Sequence, residues 1–218
     1  MRTTLDRGRL TAWVVLVSVL ALLGYASRAA GGKPPKNAAY HYATAVSGLV
    51  QYAIIVGVVL AITRPEWRLL ALRRPSSYSR TLATAIVVLV AVYATSTVVS
   101  AFSNPGREQG LTPDHWDAHR VTPFLANFFV FVAAAPVVEE LTFRGLGYSL
   151  LEPVGRLTAV LGIGLAFGLA HGLVEGLPIL IVFGAWLALL RARTDSVYPG
   201  MVVHAAFNAF ALIVSVTT

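Results

Sequence analysis

The sequence predicts an all-α protein, a polytopic membrane helix bundle of about seven transmembrane helices around a membrane-embedded polar cavity. Three observations predict it. Of 218 residues, 56% are hydrophobic and only 12% charged, where a soluble domain carries roughly 25% charged residues. Mean hydropathy is +0.71, and several apolar runs approach the ~20 residues needed to cross a bilayer. The 17 Lys and Arg residues fall mostly in the connections between those runs, as the positive-inside rule distributes charge. On that ground the net charge of +7 does not point to nucleic acid, and none is expected as a partner. There are no cysteines, which excludes disulfides and thiol chemistry.

Taken in order, residues 1–10 are basic, with Arg2, Arg7 and Arg9 ahead of an apolar run over 12–25 and small residues over 26–30. A signal peptide has this pattern. Because further spans follow, an uncleaved first transmembrane helix is the expectation. A polar link over 28–41 leads to a second span over 43–63. Residues 64–80 hold five arginines against the single acid Glu66. They read as a cytoplasmic loop with Trp67 and Tyr78 at the interface. The third span covers 81–102. The link over 103–120 is rich in turn formers, at 104–106 and 112–114. His115 and His119 have helical metal-ligand spacing there, but beside a proline turn and without a third ligand they read as solvated loop residues.

The fourth span, 121–149, contains Pro136, so a broken or re-entrant helix is the alternative to a simple crossing. A Pro-Gly turn over 151–155 follows, then spans over 157–173, 177–190 and 199–216. With the N-terminus inside, seven spans place twelve Lys and Arg residues inside and five outside. The expectation is therefore a plasma-membrane protein with a cytoplasmic N-terminus. The chain reads as a single integral membrane domain over 1–218. Residues 1–120 supply three N-terminal spans with their loops, and 121–218 form a motif-bearing catalytic core.

Chemistry concentrates in the fourth span. Glu139, Glu140 and Arg144 lie in a segment otherwise as apolar as lipid, where ionised groups are costly unless paired or functional. In an α-helix Glu140 and Arg144 share a face one turn apart and pair. Glu139 points about 140° away from Arg144. That leaves Glu139 without a local partner and available to take a proton as a general base. In the fifth span Gly164, Gly168 and Gly172 recur every four residues, a spacing that lets membrane helices approach closely. Phe167 and His171 lie on that same side. The turn at 153–155 is about midway between Glu139 and His171, so a hairpin folded there sets the two at similar depth, roughly 20–25 Å from the turn. His204 and Asn208 share a face of the last span. Two convergent donors in a dry cavity suit an oxyanion hole; a polar contact between helices is the plain alternative. The common markers of serine and zinc hydrolases, Gly-x-Ser-x-Gly and His-Glu-x-x-His, are absent from the sequence. No cofactor is expected. Zinc held by Glu139, His171 and His204 is the minority reading.

These residues resemble the three motifs of the CAAX protease and bacteriocin-processing family, also called the abortive-infection family. The family pattern of Glu-Glu-x-x-x-Arg, Phe-x-x-x-His and His-x-x-x-Asn stands here as Glu139-Glu140 with Arg144, Phe167 with His171, and His204 with Asn208. The likeness covers about 121–216; the first three spans match only as generic membrane helices. It implies an intramembrane endopeptidase, in eukaryotic relatives one that removes the last three residues of prenylated proteins. It also implies Glu139 as the catalytic glutamate, His171 as its partner, and His204 with Asn208 as the oxyanion-stabilising pair. Glu140, Arg144 and Phe167 would orient them. The expected partners are membrane lipid and a peptide or protein substrate, lipid-modified or membrane-inserted. A non-catalytic protein of the same fold, with an immunity or scaffold role, is the alternative.

Overall fold

The structure is a computed structural model that describes residues 5–33, 36–102, 108, 113 and 115–217. Of the turn formers at 104–106 and 112–114, only Pro113 lies among them, and Arg2, Pro34, Pro35 and Arg107 lie outside them. The described residues form seven main helices and no strand. They are α1 (Arg7–Ala29), α2 (Tyr42–Thr63), α3 (Tyr78–Ser100), α4 (Val121–Val154), α5 (Arg156–Ala170), α6 (Leu177–Thr194) and α7 (Tyr198–Thr217). Six are long and apolar enough to span a bilayer, and α5 is the shorter one. The chain is an integral membrane helix bundle.

Local chemistry sets several boundaries. Asp6 and Ser77 cap α1 and α3 by accepting the backbone N–H groups of Arg9 and Arg80, which satisfies donors that the first helical turn leaves free. Gly172 ends the α5 region with φ of +62°, a conformation glycine adopts without the Cβ penalty other residues meet. Apolar side chains face outward along the spans: Leu22, Val50, Ile54, Val90, Leu161 and Val202 are all exposed. Lipid accepts such a surface, whereas water does not.

Cross-contacts define the two ends of the bundle. At the end bearing the N-terminus, Arg9 donates to the Ile62 and Arg64 carbonyls. There too Arg73 bonds Asp195, Val197 N–H donates to Ala71, and Ser76 N–H donates to Thr194. Trp67 and Tyr78, predicted at the interface, are exposed at this end. At the opposite end, Tyr25 and Arg28 bond the carbonyls of Leu173 and Gly172. Asn127 joins α4 to the Ala39 and His41 carbonyls. His115 and His119 are exposed in the segment before α4.

The core centres on α5 and α6, whose backbones meet at glycines. A Cβ on Gly164 would lie 2.8 Å from the Ile181 carbonyl oxygen, and one on Gly184 would lie 2.9 Å from Phe167 Cβ. Gly168 serves the same contact. Gly172, the third residue of the predicted stripe, instead backs onto Gly24 of α1 from the turn after α5. Pro136 does not break the fourth span: α4 continues for 34 residues. Two π-helical segments, Val130–Ala134 and Glu140–Gly147, lie within it. Such wider turns are how a helix absorbs an extra residue.

Candidate active site

Pro136 begins the construction of the site. In the first π-segment the Ala135 N–H donates to Val130 O, five residues back. The next bond of that series needs a donor on residue 136, and proline has none. The Phe131 carbonyl so deprived accepts Asn208 Nδ2 from α7 at 2.8 Å. A buried backbone carbonyl needs a partner, and this one fixes the Asn208 amide at the wall of a cavity.

The second π-segment carries Glu140 and Arg144, both fully buried. They pair at 2.8 Å. Arg144 also donates to the Gly184 carbonyl at 3.1 Å, and its guanidinium lies 4.3 Å over the Phe167 ring. Glu140 Oε1 also accepts His204 Nδ1 at 3.1 Å. Its Oε2 rests against Gly200 in the first turn of α7, in space that a side chain would fill. The positive end of a helix favours a carboxylate there. The segment itself is held from outside by Trp13, whose indole N–H donates to the Thr142 carbonyl at 2.9 Å.

Glu139 faces the cavity. Its Oε1 accepts the Tyr52 hydroxyl at 3.4 Å. Its Oε2 makes no direct hydrogen bond and lies 3.8 Å from His171 Nε2 and 3.7 Å from His204 Nε2. Hydrogen-bond partners fix which ring nitrogens carry protons. His171 Nδ1 is 2.7 Å from the Phe167 carbonyl, which can only accept, so Nδ1 bears the hydrogen and neutral Nε2 is a lone pair. Glu139 Oε2 and His171 Nε2 are thus two acceptors facing each other. His204 donates through Nδ1 to Glu140 in the same way and turns Nε2 toward Glu139.

The structure therefore brings Glu139, His171, His204 and Asn208 to one cavity of about 620 Å³, with Glu140, Arg144 and Phe167 behind them. Two of the predicted donors are partly engaged. Asn208 uses one N–H on Phe131, and His204 Nδ1 is spent on Glu140. Glu139, His171 and His204 are also the residues of the zinc reading. Yet among the described residues no three His, Cys, Asp or Glu side chains are spaced as a ligand set for a metal ion. Apolar side chains, among them Phe131, Leu180, Phe207 and Leu212, line the rest of the cavity.

Sequence reasoning missed Tyr52, Trp13, Gly200 and Glu108. Glu108 accepts the backbone N–H groups of Val174 at 2.7 Å and Gly176 at 2.9 Å and pairs with Arg28 at 3.1 Å, which holds the turn after His171. A tyrosine in the middle of an apolar span is a weak pointer to Tyr52. For the other three no local signal exists, because their partners lie 60 or more residues away.

Residues 121–210 match the family model described as type II CAAX prenyl endopeptidase Rce1-like. Neither among curated proteins nor among solved structures does anything match the chain significantly. The matched segment begins with α4 and ends within α7, and it includes every residue of the three motifs. Over that segment, less than half of the chain, the sequence is similar to the CAAX prenyl endopeptidase family.

Proposed function

We propose that the protein is an intramembrane endopeptidase that hydrolyses a peptide bond with water activated by Glu139 and His171. The observation that carries this reading is the pair of facing acceptors, Glu139 Oε2 and His171 Nε2, 3.8 Å apart. Two acceptors repel unless a donor stands between them, and water has two hydrogens to give. One hydrogen goes to each acceptor, which leaves an oxygen lone pair for the substrate carbonyl carbon. As the new C–O bond forms, one water proton passes to the Glu139–His171 pair, and the carbonyl oxygen becomes an oxyanion. The free N–H of Asn208 supplies a donor for that oxygen, and His204 supplies a second when it carries a proton on Nε2 as well as on Nδ1. Collapse of the tetrahedral intermediate breaks the C–N bond, and the proton held by the pair goes to the leaving amine. No metal enters these steps. The substrate is a peptide or protein presented at the membrane, and lipid modification is compatible with the apolar wall.

The test is comparative proteomics of membranes from cells expressing the wild type, Glu139→Gln or His171→Ala, with and without a chelator. Products seen only with the wild type, and unaffected by chelation, are the expected outcome. Products that persist in both variants would instead support a non-catalytic role for this fold, and loss of products on chelation would revive the zinc reading.

A further inference from the structure

The cavity has one deep end and one open end. His204 and Phe183 lie at its floor, whereas Ser27, Arg28, Lys33 and Ser215 line its mouth. Ser27 and Arg28 are in the last turn of α1, Lys33 follows that helix, and Ser215 is near the end of α7. All four lie at the end of the bundle opposite the N-terminus, where Arg28 also meets the turn after His171. The shortness of α5 explains why the cavity opens there. Its 15 residues rise about 22 Å, less than the ~30 Å hydrocarbon core. His171 therefore ends its helix below the membrane surface, with a funnel above it.

Charge divides the same two ends. Among the described residues, ten Lys and Arg side chains sit at the end bearing the N-terminus (7, 9, 64, 68, 73, 74, 80, 156, 191, 193) and four at the cavity end (28, 33, 36, 120). Positive charge in short loops is retained on the cytoplasmic side. We infer that the cavity opens to the extracytoplasmic face, and that its substrate is an extracytoplasmic segment of an exported or membrane-anchored protein. A peptide tail displayed in the cytosol would meet the closed, arginine-rich end. The identification of the occupant as a substrate rests on the proposed endopeptidase function; the direction of opening does not.

The absence of native cysteine makes the test clean. Single-cysteine variants Lys33→Cys and Ser215→Cys at the mouth, and Arg74→Cys at the opposite end, are treated in intact cells with a membrane-impermeant thiol reagent. Lys33→Cys and Ser215→Cys should react in intact cells, and Arg74→Cys only after permeabilisation. The opposite pattern, or labelling of Arg74→Cys in intact cells, overturns the assignment. A reporter carrying one cleavable segment on either side of its own membrane anchor supplies the second arm. Cleavage of the outer segment alone is expected, and cleavage of the inner segment alone overturns the inference. Loss of cleavage on both sides together with outward labelling would count against the endopeptidase reading and leave the outward cavity standing.

Discussion

Glu139 and Glu140 are neighbours in the chain with opposite surroundings. Glu140 is fully buried and held by Arg144, His204 and the first turn of α7. Glu139 is half-buried and has one long hydrogen bond, from Tyr52. Removing one partner of a buried ion pair strands the other charge, typically at a cost of about 3–5 kcal/mol. Glu140→Gln should therefore lower the unfolding temperature in detergent and reduce the amount of folded protein. Glu139→Gln should leave folding intact and abolish turnover. Thermal scans and product formation on the same preparations separate the two, and a Glu139→Gln variant that turns over like the wild type would refute this division. Tyr52→Phe removes a hydrogen bond to a carboxylate, worth about 1.5 kcal/mol at the weak end of the range for charged groups. A rate lowered about tenfold is expected, with stability nearly unchanged.

At the scale of elements, α4 is shaped by contacts outside itself. Its second π-segment is clamped between the Leu70 region, against which Gly145 packs, and Trp13 of α1. A Cβ on Gly147 would clash with the Trp13 indole. Overpacking of this kind costs about 1–3 kcal/mol. Gly147→Ala should lower stability and, by shifting the segment that carries Glu140 and Arg144, lower activity as well. A second substitution, Trp13→Phe, loses the bond to Thr142 but also relieves the clash. If it restored nothing in the Gly147→Ala background, the two residues would not be acting on each other.

A second element-level contact is sensitive to acid. Burial alone would raise the Asp195 carboxyl, but hydrogen bonds from Arg73 and Arg191 outweigh it and hold the group below the usual carboxylate range. A carboxyl lowered in the folded state stabilises it at pH above the unfolded carboxylate value, near 4. That contribution is lost as pH falls through the lowered folded value. Thermal stability in detergent should therefore drop below about pH 4, and Asp195→Asn should flatten that part of the curve. Asp195 lies at the arginine-rich end, away from the cavity, so activity at neutral pH should change little.

At the scale of the whole molecule, the sequence by itself determined the class. Apolar runs long enough to cross a bilayer leave helices as the economical way to satisfy every backbone group in lipid. Their number, the charge bias of the loops and the pairing of Glu140 with Arg144 followed from periodicity alone, because all are local or additive properties. The three motifs were also legible, since carboxylate and imidazole side chains stand out against an apolar background. Tertiary structure decided the rest. Pro136 in the sequence suggests a break, yet α4 runs on, because a π-segment precedes the proline and Asn208 of a distant helix satisfies the carbonyl left bare. For His204 and Asn208 the sequence leaves both an oxyanion pair and a polar contact between helices open, and each side chain spends one donor on α4. Tyr52 reaches Glu139 across 87 positions of sequence, a distance that no periodicity spans. The helices and their charged residues are written along the chain. Which acceptor faces which lone pair, and which end of the bundle is open, depends on how seven helices of unequal length pack together.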